Sequence, residues 1–137
     1  MKTYFDSSAF VKRYIAEAGS EIVDEICLNT SSLALSIIGV PEILSAMNRR
    51  LRENHLTHSD YIVIKNQLLS DVEDVIILNI TPIVIETAIQ LVEGNVIRTL
   101  DALHVACAVE WHSELFVTSD QRQSEAAKNM GLKVSFI

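Results

Sequence analysis

The chain has 137 residues and a formal charge of −7, from 11 Lys and Arg against 18 Asp and Glu, with a sequence pI near 5.0. At 49% apolar and 6% aromatic residues, disorder, a collagen and a disulfide scaffold are excluded, and the length predicts one domain over residues 1–137. No stretch reaches the roughly 18 uncharged apolar residues of a membrane span. Asp6 also arrives before any apolar leader can develop. The expectation is a soluble, cytoplasmic protein without membrane contact. Cys27 and Cys107 lie in apolar helical patterns and read as buried reduced thiols, and without a leader the sequon Asn29-Thr30-Ser31 carries no weight.

The elements alternate along the chain. Thr3-Tyr4-Phe5 is a short strand ending at Asp6. Phe10, Val11, Tyr14 and Ile15 mark a helix that Gly19 can close, and Ile22, Val23, Ile26 and Cys27 mark a second. Leu33 to Ile38 is a buried strand stopped by Gly39 and Pro41. Val40, Ile43, Leu44, Met47 and Leu51 then supply a helical face, with Pro41 in its first turn. Tyr61, Ile64, Leu68 and Val72 predict another helix, and Val75 to Leu78 the third strand. Thr81-Pro82 is an N-cap followed by proline, opening a helix that Gly94-Asn95 ends. A helix from about Thr99 to Trp111, a strand Leu115–Val117, a helix over 121–130 and a strand Lys133–Phe136 complete the chain. Continuous aliphatic strands separated by helices imply a three-layer α/β/α fold around a central, mostly parallel sheet of about five strands.

In such sheets functional groups gather beyond the carboxyl ends of the strands, and four acids fall there. Asp6 ends the first strand, Glu42 lies in the helical turn after the second, and Asp120 follows the fourth across Thr118-Ser119. Asp101 opens a helix that is apolar almost all round, where a carboxylate needs a partner. Singly, each acid reads as an N-cap or as a complement to a helix dipole. Together at one sheet edge they repel unless cations lie between them, and hard divalent ions, Mg2+ or Mn2+, fit an oxygen donor set. No Cys or His spacing indicates zinc. His104 reads as a hydrogen-bonded core histidine, with a role beside Asp101 as the alternative. Ser7, Ser8, Thr118 and Ser119 flank the acids and can orient carboxylates or a metal-bound water, with ordinary turn and cap roles as the alternative; Ser8 and Thr118 are the favoured supporting residues.

Four segments together resemble one family. Asp6-Ser7-Ser8-Ala9-Phe10-Val11-Lys12-Arg13-Tyr14 is similar to the opening of PIN-domain ribonucleases, VapC-type toxins in particular. Pro41 to Ala46, Arg98 to Ala106 and Phe116 to Asp120 resemble the motifs that follow it, in order and at fitting spacing. All four acidic positions are filled. The resemblance implies a PIN-like fold and a Mg2+- or Mn2+-dependent endoribonuclease, dimeric and inhibited by a cognate antitoxin. Asp6, Asp101 and Asp120 would hold metal, Glu42 would complete the set, and a metal-activated water would cut the RNA phosphodiester bond. Lys12, Arg13, Arg49 and Arg50 are candidate phosphate contacts, with a solvated helical face as the alternative. Exposed apolar residues of the first helices or of Ile62–Leu69 are candidate antitoxin surfaces.

Two other functions fit the resemblance, a binding module without cleavage and a housekeeping RNA-processing nuclease. A phospho-acceptor receiver domain does not fit. Ser7 follows Asp6 where an acid pair is needed, Asn79 stands near the end of the third strand, and Lys133 precedes the last strand.

Overall fold

The computed structural model describes all 137 residues. Five strands form one sheet: β1 (Lys2–Phe5), β2 (Ser32–Ser36), β3 (Ile76–Leu78), β4 (Leu115–Thr118) and β5 (Val134–Phe136). Every neighbouring pair is parallel, and the order is β3-β2-β1-β4-β5. Seven helices connect and cover it: α1 (Ser7–Phe10), α2 (Ser20–Asn29), α3 (Gly39–Arg52), α4 (His58–Asp71), α5 (Pro82–Gly94), α6 (Thr99–Glu110) and α7 (Gln121–Asn129).

The period-two alternation of the strands sorts the core into two layers. Tyr4, Ala34 and Phe116 face one side, where α5, α6 and α7 contribute Leu91, Val105 and Ala126. Phe5, Leu35 and Val117 face the other, against Phe10, Val23, Ile43, Met47 and Leu68 of α1 to α4. Both faces of the central strands are therefore covered, which is why they read as continuous apolar runs. The nearly all-apolar pattern of α6 places it centrally, packed between α5 and α7.

Three local expectations are corrected. The first helix is only α1 followed by a 3-10 turn, Val11–Arg13, and Gly19 does not close it. Gly19 instead precedes α2 with φ +94°, a left-handed conformation that glycine adopts without a Cβ penalty. The second strand stops at Ser36 rather than Ile38, because the Ile38 N–H turns back to the Ser36 hydroxyl at 3.3 Å. Ile37 is thereby 48% exposed instead of buried in the sheet. Cys107 is buried as expected, but Cys27 is only half-buried beside Arg13; both thiols are free.

The chain runs outward from β1 through β2 to β3, then returns to the other side of β1 to lay down β4 and β5. The order reverses at β1 and β4, so the crevice outside their carboxyl ends is where this topology places a ligand. Asp6 and Asp120 stand there.

Candidate active site

Asp6 is the N-cap of α1 and is wholly buried. Its Oδ1 accepts from the Ala9 N–H at 2.9 Å and its Oδ2 from the Thr118 hydroxyl at 2.8 Å. The Ser8 hydroxyl faces both oxygens, at 2.8 and 2.7 Å. Ser8 also accepts from the Ser119 N–H at 3.1 Å. Ser8 and Thr118 thus join the ends of β1 and β4 through one carboxylate. Burial pushes the Asp6 carboxyl above its ordinary value, against the opposing charge of His104 and the donors Ser8, Ala9 and Thr118.

Glu42, in the first turn of α3, belongs to a buried chain of hydrogen bonds. The Ser7 hydroxyl donates to its Oε1 at 2.8 Å, and His104 Nε2 donates to the same oxygen. The other ring nitrogen of His104, Nδ1, meets the Tyr4 hydroxyl at 2.6 Å. A carboxylate only accepts, so Nε2 carries a hydrogen; in the neutral ring Nδ1 then accepts from Tyr4. Tyr4 keeps its proton, since burial above all, with the nearby Asp6 and Glu42 carboxyls, pushes its hydroxyl well above the ordinary value. It is held flat against Phe116, ring centroids 5.5 Å apart. Burial alone would raise the Glu42 carboxyl, but the hydrogen bond and charge of His104, with Ser7, hold it below its ordinary value.

Asp101 and Asp120 line an open hollow of about 460 Å3 together with Arg98, Arg122 and Glu125, and no hydrophobic side chain enters it. Asp120 is the N-cap of α7, its Oδ1 accepting from the Gln123 N–H at 2.8 Å. Asp101 Oδ1 accepts from Gln123 Nε2 at 2.8 Å. Burial raises the Asp101 carboxyl; the Gln123 hydrogen bond opposes this, while repulsion from Asp120 and from Glu42 adds to it. The Oδ2 atoms of both aspartates are left without a protein donor.

The structure thus gathers the four acids at one edge without forming a cage. No three Asp, Glu, His or Cys side chains group closely enough to enclose a metal ion. Asp6 is saturated with donors and Glu42 is bound to His104, whereas Asp101 and Asp120 line one hollow with spare oxygens. That arrangement fits a hard divalent cation of the kind that binds through one or two carboxylates and keeps several waters for exchange with a phosphate.

The candidate phosphate contacts separate. Lys12 is turned onto the Ala18 carbonyl at 2.7 Å and Glu17 at 3.5 Å. Arg13 pairs with Asp71 at 3.5 Å in a hollow with Thr30 and Leu33, at the amino edge of the sheet and away from the acids. Arg49 and Arg50 line a wide groove of about 830 Å3 that includes Glu42, each tied to an acid at 3.2 Å, Glu53 and Glu17 respectively. Arg98 borders both this groove and the Asp101 hollow and has no ion pair. Sequence reasoning missed Arg98, Tyr4 and Gln123, and left Ser7 between orienting a carboxylate and an ordinary turn. A tyrosine on the covered face of β1 was a usable signal, because a buried phenol needs a partner. Gln123 carried one too: it sits three and four residues before Ala126 and Ala127, on the buried face of α7.

Residues 3–129 match the family described as PIN domain. The chain belongs to the PIN domain family. Among curated relatives, it is 26% identical over 134 residues to ribonuclease VapC45 of Mycobacterium tuberculosis, covering 96% of this chain and 93% of that protein. Among solved structures, its fold is similar to VapC20 of Mycobacterium tuberculosis, described as a sarcin-ricin loop cleaving toxin. The TM-score is 0.69 at 16% identity, over 90% of this chain and 94% of that one. A toxin–antitoxin complex from Klebsiella pneumoniae matches with a TM-score of 0.66 at 15% identity, over 88% of each chain. No helix is long and apolar enough to cross a membrane.

Proposed function

We propose that this chain is a divalent-metal-dependent endoribonuclease, the toxin of a toxin–antitoxin pair, with Asp6, Glu42, Asp101 and Asp120 as its acid set. The observation that carries the reading is the Asp101–Asp120 pair. These two carboxylates repel each other at the switch point of a PIN-domain sheet, each with one oxygen fixed and one spare. A group arranged at a cost in repulsion calls for a cation, and the donor set suits Mg2+ or Mn2+. The chemistry such a cation supplies is Lewis acidity towards the phosphodiester and activation of a water for attack.

The chain's own residues do the rest. Asp101 and Asp120 offer the free oxygens, and Asp6 fixes β1 to β4 so that both stay at the same edge. Glu42, ionised and oriented by His104 and Ser7, presents its second oxygen at the mouth of the arginine groove. Arg49 and Arg50 hold RNA phosphates from that groove, and Arg98 is placed to contact the backbone between groove and acids. Lys12 and Arg13 are engaged elsewhere and contribute little.

Names of the relatives support the ribonuclease and toxin reading, and with it an antitoxin partner; the homodimer is carried by the family resemblance alone. The antitoxin has apolar surface available at Ile22 and Leu28 of α2 and at Ile62, Val63 and Leu69 of α4, all exposed.

The test is cleavage of total RNA by purified protein with Mg2+ or Mn2+, with EDTA, and with Asp101→Asn. That substitution is a better control than Asp6→Asn, because Asp6 also caps a helix and ties two strands. Discrete cuts that need the metal and vanish in Asp101→Asn support the proposal. Equal behaviour of wild type and variant on every RNA, with either metal, would sink it in favour of a binding module.

A further inference from the structure

One buried side-chain polar atom in the whole chain lacks a hydrogen-bond partner, and it is Oε1 of Gln123. The residue is only 3% exposed and lies on the face of α7 that carries Ala126 and Ala127 into the core. A leucine or methionine there would match those neighbours without stranding a carbonyl. Reversing the amide would not help, since it would set Oε1 against Asp101 Oδ1, oxygen to oxygen, where Nε2 now donates at 2.8 Å. What the amide does achieve is specific. From one residue, the side chain fixes Asp101 Oδ1 and the backbone N–H fixes Asp120 Oδ1, each at 2.8 Å. Two carboxylates that repel each other are thereby held by a shared support, and the oxygens left over are the Oδ2 atoms.

We infer that Gln123 is a positioning residue for divalent-cation binding: its amide aligns Asp101 against Asp120 and is kept in the core for that purpose rather than for packing. The inference rests on the proposed metal-dependent reading and assigns Gln123 no contact with substrate. The backbone cap on Asp120 survives any substitution but proline, so the side chain can be tested alone.

The experiment uses the full chain with Gln123→Met, which keeps the length and removes both the donor and the stranded acceptor. Free aquo-Mn2+ is followed by electron paramagnetic resonance without RNA, alongside a thermal melt in EDTA. Loss of a hydrogen bond that orients a metal-binding group weakens metal affinity by about 10–100-fold. That loss is expected here, with an apo melting temperature equal to or above that of wild type. Cleavage at saturating Mn2+ should return to within about threefold of wild type, because the variant loses alignment and no reacting group. Unchanged Mn2+ affinity in a folded Gln123→Met would overturn the inference. So would a weakened affinity accompanied by a lower apo melting temperature, which would assign the amide to packing. Gln123→Asn, too short to reach Asp101 while keeping an amide, should lose Mn2+ affinity as Gln123→Met does, here with a lower apo melting temperature because its amide is stranded in the core; wild-type affinity in it would also overturn the inference. If wild type itself neither binds Mn2+ nor cuts RNA, the functional reading fails, and that result needs no variant to recognise.

Discussion

The two halves of the acid site are built on opposite principles. Around Glu42 the charge is answered: Ser7 and His104 donate to it, Tyr4 holds His104, and the carboxyl lies below its ordinary value. Around Asp101 and Asp120 it is not. The only side-chain donor there is Gln123, and burial and mutual repulsion raise the Asp101 carboxyl. A folded protein has every opportunity to place a lysine or arginine between two such aspartates, and this one places Arg98 and Arg122 on the rim of the hollow without an ion pair. One half is therefore a finished internal network, and the other keeps negative charge that no side chain pairs. On the proposed metal-dependent reading, the cation belongs on the Asp101–Asp120 side, with Glu42 as a rigid neighbour.

The comparison breaks first at Asp101→Asn. Cleavage should fall at least about 100-fold, more than the loss of an orienting contact alone would give. Metal-free stability should move the other way, since the substitution removes repulsion. The pH dependence follows from the direction of the shift. A carboxyl raised in the folded state binds its proton more tightly there than in the unfolded chain. Its contribution to stability therefore falls as pH rises from the ordinary value of 3.8 through the raised folded value. The variant's advantage in EDTA should be small near pH 4, grow as the pH rises and level off once Asp101 is ionised in both states. Urea unfolding at several pH values measures it, and a variant less stable than wild type at pH 7 would contradict the repulsion between the two aspartates.

Adding the missing charge should repair the same half. Mn2+ or Mg2+ at about 100 times its dissociation constant should stabilise wild type by about 2.7 kcal/mol and Asp101→Asn by far less. A wild-type melt indifferent to metal would remove the cation from the account.

How much of this was legible beforehand divides along the same line. The parallel sheet, the position of each strand and the four acids at its carboxyl edge followed from periodicity and from residues at element ends. Those signals are local: Thr81-Pro82 caps and opens α5 as read, and Asp6 and Asp120 cap α1 and α7. The network around Glu42 was not legible, because its members are far apart in sequence. Tyr4 and His104 are 100 residues apart, and His104 and Glu42 are 62 apart. Each side chain signals that it needs a partner, but only the fold shows which one. The fate of the basic residues was hidden for the same reason. Lys12 and Arg13 follow Asp6 closely, yet the 3-10 turn after α1 carries Arg13 to Asp71 at the opposite edge. Gly19 misled because a left-handed glycine serves a helix start as readily as a helix end when the preceding helix has already stopped.

The finished half breaks more gently. Ser7→Ala removes a 2.8 Å hydrogen bond to a half-buried carboxylate that keeps His104 as its stronger partner. A bond of this kind is worth about 1 kcal/mol, since the exposed side of Glu42 lets water take part of the load. The sign is opposite to that of Asp101. Glu42 is depressed in the folded state, so its contribution is fully present above the unfolded value near 4.5 and is lost as pH falls through the folded value. The deficit of Ser7→Ala in urea should therefore be constant above about pH 6 and shrink below pH 4 as the carboxyl protonates. Mn2+ affinity should stay within about threefold of wild type, because Glu42 loses one of two supports and the aspartate pair loses none. A larger loss of Mn2+ affinity than that caused by Gln123→Met would move the cation across the site to Glu42 and reverse the assignment of the two halves.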